Sequence, residues 1–130
     1  MKTKNFLVSG IAGGFTAFIV GWLLYGILFK DSFPQPAEDS NSMILIALGS
    51  LTFGLLIAYI FVKWAQISSV ATGSKAGAII ALFLSLYYNF FNMAMSEEVT
   101  YQMFALDLAL SIVMGAIVGA IIAMVNGKLG

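Results

Sequence analysis

Apolar residues fill four long runs of the chain, and polar residues gather between them. The runs Phe6–Phe29, Met43–Trp64, Ala76–Met95 and Gln102–Val125 each hold about 20 residues or more, enough for a helix to cross a hydrocarbon core ~30 Å thick. Their connections, Lys30–Ser42, Ala65–Lys75 and Ser96–Tyr101, are short enough to make successive helices antiparallel. Both prolines, Pro34 and Pro36, fall in the first connection, where a missing N–H leaves no donor gap in lipid. The pattern predicts an all-α integral membrane protein, a four-transmembrane-helix bundle of two antiparallel hairpins, with residues 1–130 as a single membrane domain and no extramembrane domain. The opening Lys2–Thr3–Lys4 precedes an apolar run too long for a signal peptide, so it reads as the start of a retained first helix.

Composition makes the bilayer the required solvent. The chain is 61% hydrophobic and 9% charged, with a mean hydropathy of +0.99, against about 45–50% apolar and about 25% charged in ordinary soluble domains. Cysteine and histidine are absent, which removes thiolate nucleophiles, imidazole bases, disulfides and the usual zinc, haem and iron–sulfur ligands. Arginine is absent as well, and with it bidentate clamping of phosphate. The glycines lie inside apolar runs rather than in phosphate-cradling loops. These absences predict a non-enzymatic protein without cofactor or metal, and a net charge of zero offers nothing to nucleic acid.

The charges set an orientation. Lys2, Lys4, Lys63, Lys75 and Lys128 fall on one side of the predicted bundle and Lys30 alone on the other, which by the positive-inside rule places both termini in the cytoplasm. Asp31, Glu38, Asp39, Glu97 and Glu98 lie on the opposite side, and Trp64 and Tyr101 sit where interfacial aromatic belts form.

Small residues at four-residue spacing mark helix contacts in lipid. Gly77, Ala81, Ser85 and Asn89 in the third run oppose Gly119, Gly115, Ser111 and Asp107 in the fourth, so the pairs Gly77/Gly119, Ala81/Gly115, Ser85/Ser111 and Asn89/Asp107 share a depth. Gly13, Ala17, Gly21 and Tyr25 in the first run similarly face Ala58, Gly54 and Ser50 in the second, through Gly13/Ala58, Ala17/Gly54 and Gly21/Ser50. The two sets superimpose in outline, as expected of a parallel two-hairpin repeat about an axis along the membrane normal. A four-residue stripe drifts around a helix of 3.6 residues per turn and so favours right-handed crossings near about −40°. Gly10 and Gly14 form a second small-residue face on the first run, available to a second copy, to another subunit or to packing within the chain.

Asp107 is the one ionisable residue well inside a run, about 7.5 Å along the helix from Gln102. Asn89, Asn92, Tyr88, Tyr25, Ser50 and Ser111 fall at neighbouring depths, which predicts a polar pocket opening outward. An acid there serves either as a proton, cation or small-ligand site or as a hydrogen-bonded tie between helices. The cluster Phe83–Tyr87–Tyr88–Phe90–Phe91 reads as lipid-facing bulk, and Asp31–Asp39 as a solvated turn.

The segment Gly21–Trp22–Leu23–Leu24–Tyr25–Gly26–Ile27–Leu28–Phe29, with the late glycine-alanine run Met114–Ala120, resembles the small bacterial four-span proteins grouped as the domain of unknown function 1761 family. That resemblance implies a bacterial inner-membrane protein without an assigned activity. Two functions follow as expectations: an accessory or packing component of a membrane complex or homo-oligomer, whose partners are the bilayer and itself or another membrane protein, or a small proton- or cation-coupled transporter or channel centred on Asp107.

Overall fold

The structure is a computed structural model and describes residues 2–24, 40–95 and 101–129. Within these, only the segment 65–69 is not helical. Four helices, α1 (Lys2–Gly21), α2 (Ser40–Tyr59), α3 (Val70–Met95) and α4 (Tyr101–Leu129), are long and apolar enough to cross a membrane. Helix is what the sequence demands once lipid is the solvent, because a spanning backbone must satisfy its N–H and C=O groups internally.

The helix ends are set by local chemistry. A π-helical turn, Ile60–Trp64, closes α2, with the Ala65 N–H donating to the Ile60 carbonyl at 2.7 Å. Gln66 then takes a left-handed conformation at φ 52°, which reverses the chain and lets the Ile67 N–H reach the Phe61 carbonyl at 2.8 Å. Ser69 caps α3, its Oγ accepting from the Thr72 N–H at 3.2 Å, as N-cap serines do. The cap starts α3 six residues before the expected Ala76, because hydropathy alone discounts the polar stretch Thr72–Lys75. For the same reason α4 runs on to Leu129, beyond Val125.

Helices α1 and α4 occupy the middle of the bundle, with α2 against α1 and α3 against α4. The core consists of Ala17, Ile57, Ala58, Phe61, Val118, Ile122 and Ala123, most of it toward the end of the bundle where Asn5 and Asn126 meet. We call this the lysine end, after Lys4, Lys63 and Lys128, and the opposite one the Asp107 end. Toward the Asp107 end the helices cover one another less: Ile44, Leu45, Ile46 and Leu48 of α2 and Phe83, Tyr87, Phe90 and Phe91 of α3 are all exposed.

Contacts between α3 and α4 are made backbone to backbone. A Cβ built on Gly77 would lie 2.1 Å from the Gly115 carbonyl oxygen, one on Gly115 2.4 Å from the Gly77 oxygen, and one on Gly119 2.2 Å from the Gly73 oxygen. Where a Cβ would stand, glycine has a hydrogen, so these Cα–H bonds point at facing carbonyls, a weak contact of about 0.5–1 kcal/mol each. The Cβ of Ala81 meets Gly115 and that of Ala123 meets Gly73, so the close approach runs one turn beyond the expected stripe. Ser74 Oγ adds a bond to the Ala116 carbonyl at 3.2 Å.

Between α1 and α2 the register differs from the expected one. Gly10 and Gly14, not Gly13 and Gly21, lie against α2: Gly10 meets Leu55 and Ala58, Gly14 meets Leu51, and a Cβ on Gly54 would be 2.2 Å from the Gly14 backbone nitrogen. Gly13 instead leaves room for the side chain of Ile122 on α4, with Val118 beside it. Ala17 is buried in the core, while Gly21 has no described atom within 4 Å of a would-be Cβ. The physical reason is that α1 carries glycine on more than one face. The face free of bulk over two turns admits the α2 backbone, and the single notch at Gly13 admits a branched side chain.

Candidate functional site

Two polar clusters lie inside the bundle, one toward each end. The first is built on the small-residue stripe of α3. Because Gly77 and Ala81 bring α3 and α4 together, the side chains that follow at the same spacing, Ser85 and Asn89, reach α4 at Asp107. Asn89 Nδ2 donates to Asp107 Oδ2 at 2.6 Å, and Ser85 Oγ donates to the same oxygen at 3.1 Å. Asn89 Nδ2 also reaches the Ser85 carbonyl at 2.8 Å and Ser85 Oγ at 3.1 Å. Ser85 and Asn89 are buried and Asp107 is half-buried.

The structure brings together only part of the expected pocket. Ser85 was expected as packing and is instead a ligand of Asp107. Ser111 is half-buried one turn along α4 from Asp107. Asn92 is half-buried, whereas Tyr88 is 63% exposed and faces outward with the aromatic bulk of α3. Ser50 is half-buried beside α1, its carbonyl 3.4 Å from where a Gly14 Cβ would stand. Tyr25 lies outside the described residues, as does most of the segment that carries the family resemblance.

The second cluster has no counterpart among the expected site residues. Asn5 Nδ2 donates to Asn126 Oδ1 at 2.8 Å, joining α1 to α4. Asn126 Nδ2 donates to the Ile67 carbonyl at 3.0 Å, tying α4 to the α2–α3 connection. Ser9, fully buried, donates its hydroxyl to the Asn5 carbonyl. Asn5 and Asn126 are both buried. Each stands one residue outside the apolar run that it belongs to, so a reading of spans by hydropathy trims them both. Their signal in the sequence is the amide type: an asparagine within a turn of a span end carries two donors and an acceptor that lipid cannot satisfy.

Among the described residues, no buried side-chain nitrogen or oxygen lacks a hydrogen-bond partner. The first cluster joins the consecutive helices α3 and α4, the second joins α1 to α4 and to the α2–α3 connection, and the polar groups named engage one another. No family model matches this chain, and no curated protein and no solved structure matches it.

Proposed function

We propose that this chain is a non-enzymatic multi-pass protein of a bacterial inner membrane that serves as a packing or accessory component of a membrane assembly, including an assembly of its own copies. In this reading α1–α2 and α3–α4 are two antiparallel hairpins, and the lysine end with both termini faces the cytoplasm. The family resemblance at Gly21–Phe29 belongs to the same reading.

One observation carries it. Every described glycine except Gly21 and Gly49 has a neighbour in contact distance, whereas these two, one on α1 and one on α2, have no described atom within 4 Å of a would-be Cβ. Small residues in membrane helices let another helix approach, and here no described residue supplies one at these positions. Cross-linking in membranes tests the reading, because the chain has no cysteine of its own. Gly49→Cys should form a dimer or a defined adduct in native membranes, and the protein in mild detergent should have the mass of an assembly. A strictly monomeric protein that cross-links to nothing contradicts it.

A second reading is favoured by Asp107, the only carboxylate among the described residues, which stays half-buried inside a span. An intramembrane acid marks ion or proton pathways by default. Four helices enclose little space, so a path past Asp107 would be completed by a second copy.

A further inference from the structure

We propose that the lysine end of the bundle is a docking surface for the phosphodiester headgroups of anionic phospholipids. The inference depends on neither reading of function, nor on which side of the membrane this end faces. Each of the four helical segments brings a lysine to it: Lys4 on α1, Lys63 in the π-helical turn after α2, Lys75 on α3 and Lys128 on α4. Lys4, Lys75 and Lys128 are exposed and Lys63 is half-buried.

Three of them are held at one level by contacts between their neighbours. Phe6 packs edge-on against Tyr59 with ring centroids 5.8 Å apart, and Tyr59 packs against Trp64 at 5.5 Å, which brings the chain around Lys4 and the chain around Lys63 to one end of the bundle. The Asn5–Asn126 and Asn126–Ile67 bonds set Lys4 and Lys128 beside the same connection. Lys75 stands about 7.5 Å further along α3 than Val70, where a flexible stem lets the ammonium snorkel back to the headgroup level.

Among the described residues, nothing at this end opposes their charge. The only carboxylate among the described residues, Asp107, belongs to the other end. The exposed connection adds donors rather than acids, in Gln66 and Ser68. Trp64, 70% exposed beside Lys63, is the aromatic that an interfacial site places at headgroup depth. A donor-rich rim between helix ends, free of acids among the described residues, matches phosphodiester chemistry, and basic sites between helices are how membrane proteins hold anionic headgroups.

Trp64 makes the proposal directly measurable. Trp22→Phe protein, whose only tryptophan is Trp64, is reconstituted into bilayers of equal parts phosphatidylglycerol and phosphatidylcholine, with bromine on the chains of one lipid or the other. Bromine on phosphatidylglycerol should quench Trp64 more strongly. Each lysine near the surface favours an anionic lipid by about fivefold, so Lys4→Gln, Lys63→Gln and Lys128→Gln together should bring the two quenching curves into coincidence. Raising salt to about 1 M should weaken the preference without any further substitution. Trp64→Phe protein, reporting through Trp22, should show no preference. Equal quenching of Trp64 by the two brominated lipids overturns the proposal, as does a preference untouched by the lysine substitutions or an equal preference at Trp22. Loss of the preference on adding millimolar inorganic phosphate at constant ionic strength overturns the lipid assignment in favour of a soluble anion.

Discussion

Replacing Gly77 with alanine adds a single methyl group where α3 has no room for one. The new Cβ would stand 2.1 Å from the Gly115 carbonyl oxygen and 3.0 Å from the Gly119 Cα. Both are backbone atoms of α4 and cannot swing aside as a side chain can. Since ordinary contact begins near 3.4 Å, the helices must part by about 1 Å, and dispersion falls steeply over such a gap. Parting them weakens the reciprocal Cα–H contacts at Gly73, Gly77, Gly115 and Gly119, each about 0.5–1 kcal/mol. Overpacking of this kind costs about 1–3 kcal/mol, and the better helix propensity of alanine returns at most about 1 kcal/mol. With that return made in full, Gly77→Ala should still destabilise the protein by up to about 2 kcal/mol net. At Gly49, where no described atom of the same chain is near, the same substitution should cost the dissociated single chain nothing and can gain up to about 1 kcal/mol. Reversible unfolding in mixed micelles, with both variants compared to the parent, reads the difference. If Gly77→Ala is as stable as Gly49→Ala, the backbone contact is not what joins α3 to α4.

Other expectations follow from the two polar clusters and from the helix register. Asn126→Ala leaves the Asn5 amide and the Ile67 carbonyl without their partner. A double-mutant cycle with Asn5→Ala should give a coupling of about 0.6 kcal/mol and at most about 1.7 kcal/mol, the average and maximum for interhelical hydrogen bonds in a membrane protein, and a coupling of zero would show that the bond does not join α1 to α4. Ser85→Cys with Ser111→Cys should cross-link within one chain, because contacts flank the pair on both sides, Ala81 with Gly115 and Asn89 with Asp107. Oxidation that yields no intramolecular product would place α3 and α4 in another register. Gln66→Gly, which relieves a side chain from φ 52°, should stabilise the connection by about 1 kcal/mol, seen as slower unfolding; a loss of stability would show that the side chain contributes more than its backbone costs.

The spans were legible because nothing but a bilayer accommodates four such apolar runs. Asn89 and Asp107 could be matched from the sequence since a short connection leaves α3 and α4 little freedom to slide, and a strict four-residue stripe names the face that they share. Between α1 and α2 the connection is longer and α1 has glycine on more than one face, so small size alone did not say whether Gly13 or Gly14 meets α2. The choice depends on Ile122, a residue of α4 that fills the Gly13 notch, and no pairwise reading of α1 with α2 contains it. Asn5 and Asn126 were hidden for a different reason. Hydropathy ends a span at the first polar residue, yet the helix continues through it, and its amide is buried by the three segments that meet there. Ser69 hid the start of α3 in the same way, since a cap is a local hydrogen bond and leaves no mark on an apolar average.

Among the described residues, polar side chains inside the spans hold helices together, and Asp107 offers the sharpest test of that role. Asparagine keeps an oxygen that accepts from Asn89 and Ser85 but carries no charge, so Asp107→Asn separates a structural tie from an ionic function. Wild type and Asp107→Asn are reconstituted into liposomes, and proton and monovalent-cation flux is followed under imposed gradients. Flux at the level of protein-free liposomes from both proteins is the predicted result. A flux through the wild type that Asp107→Asn abolishes contradicts the claim and makes Asp107 a transport site.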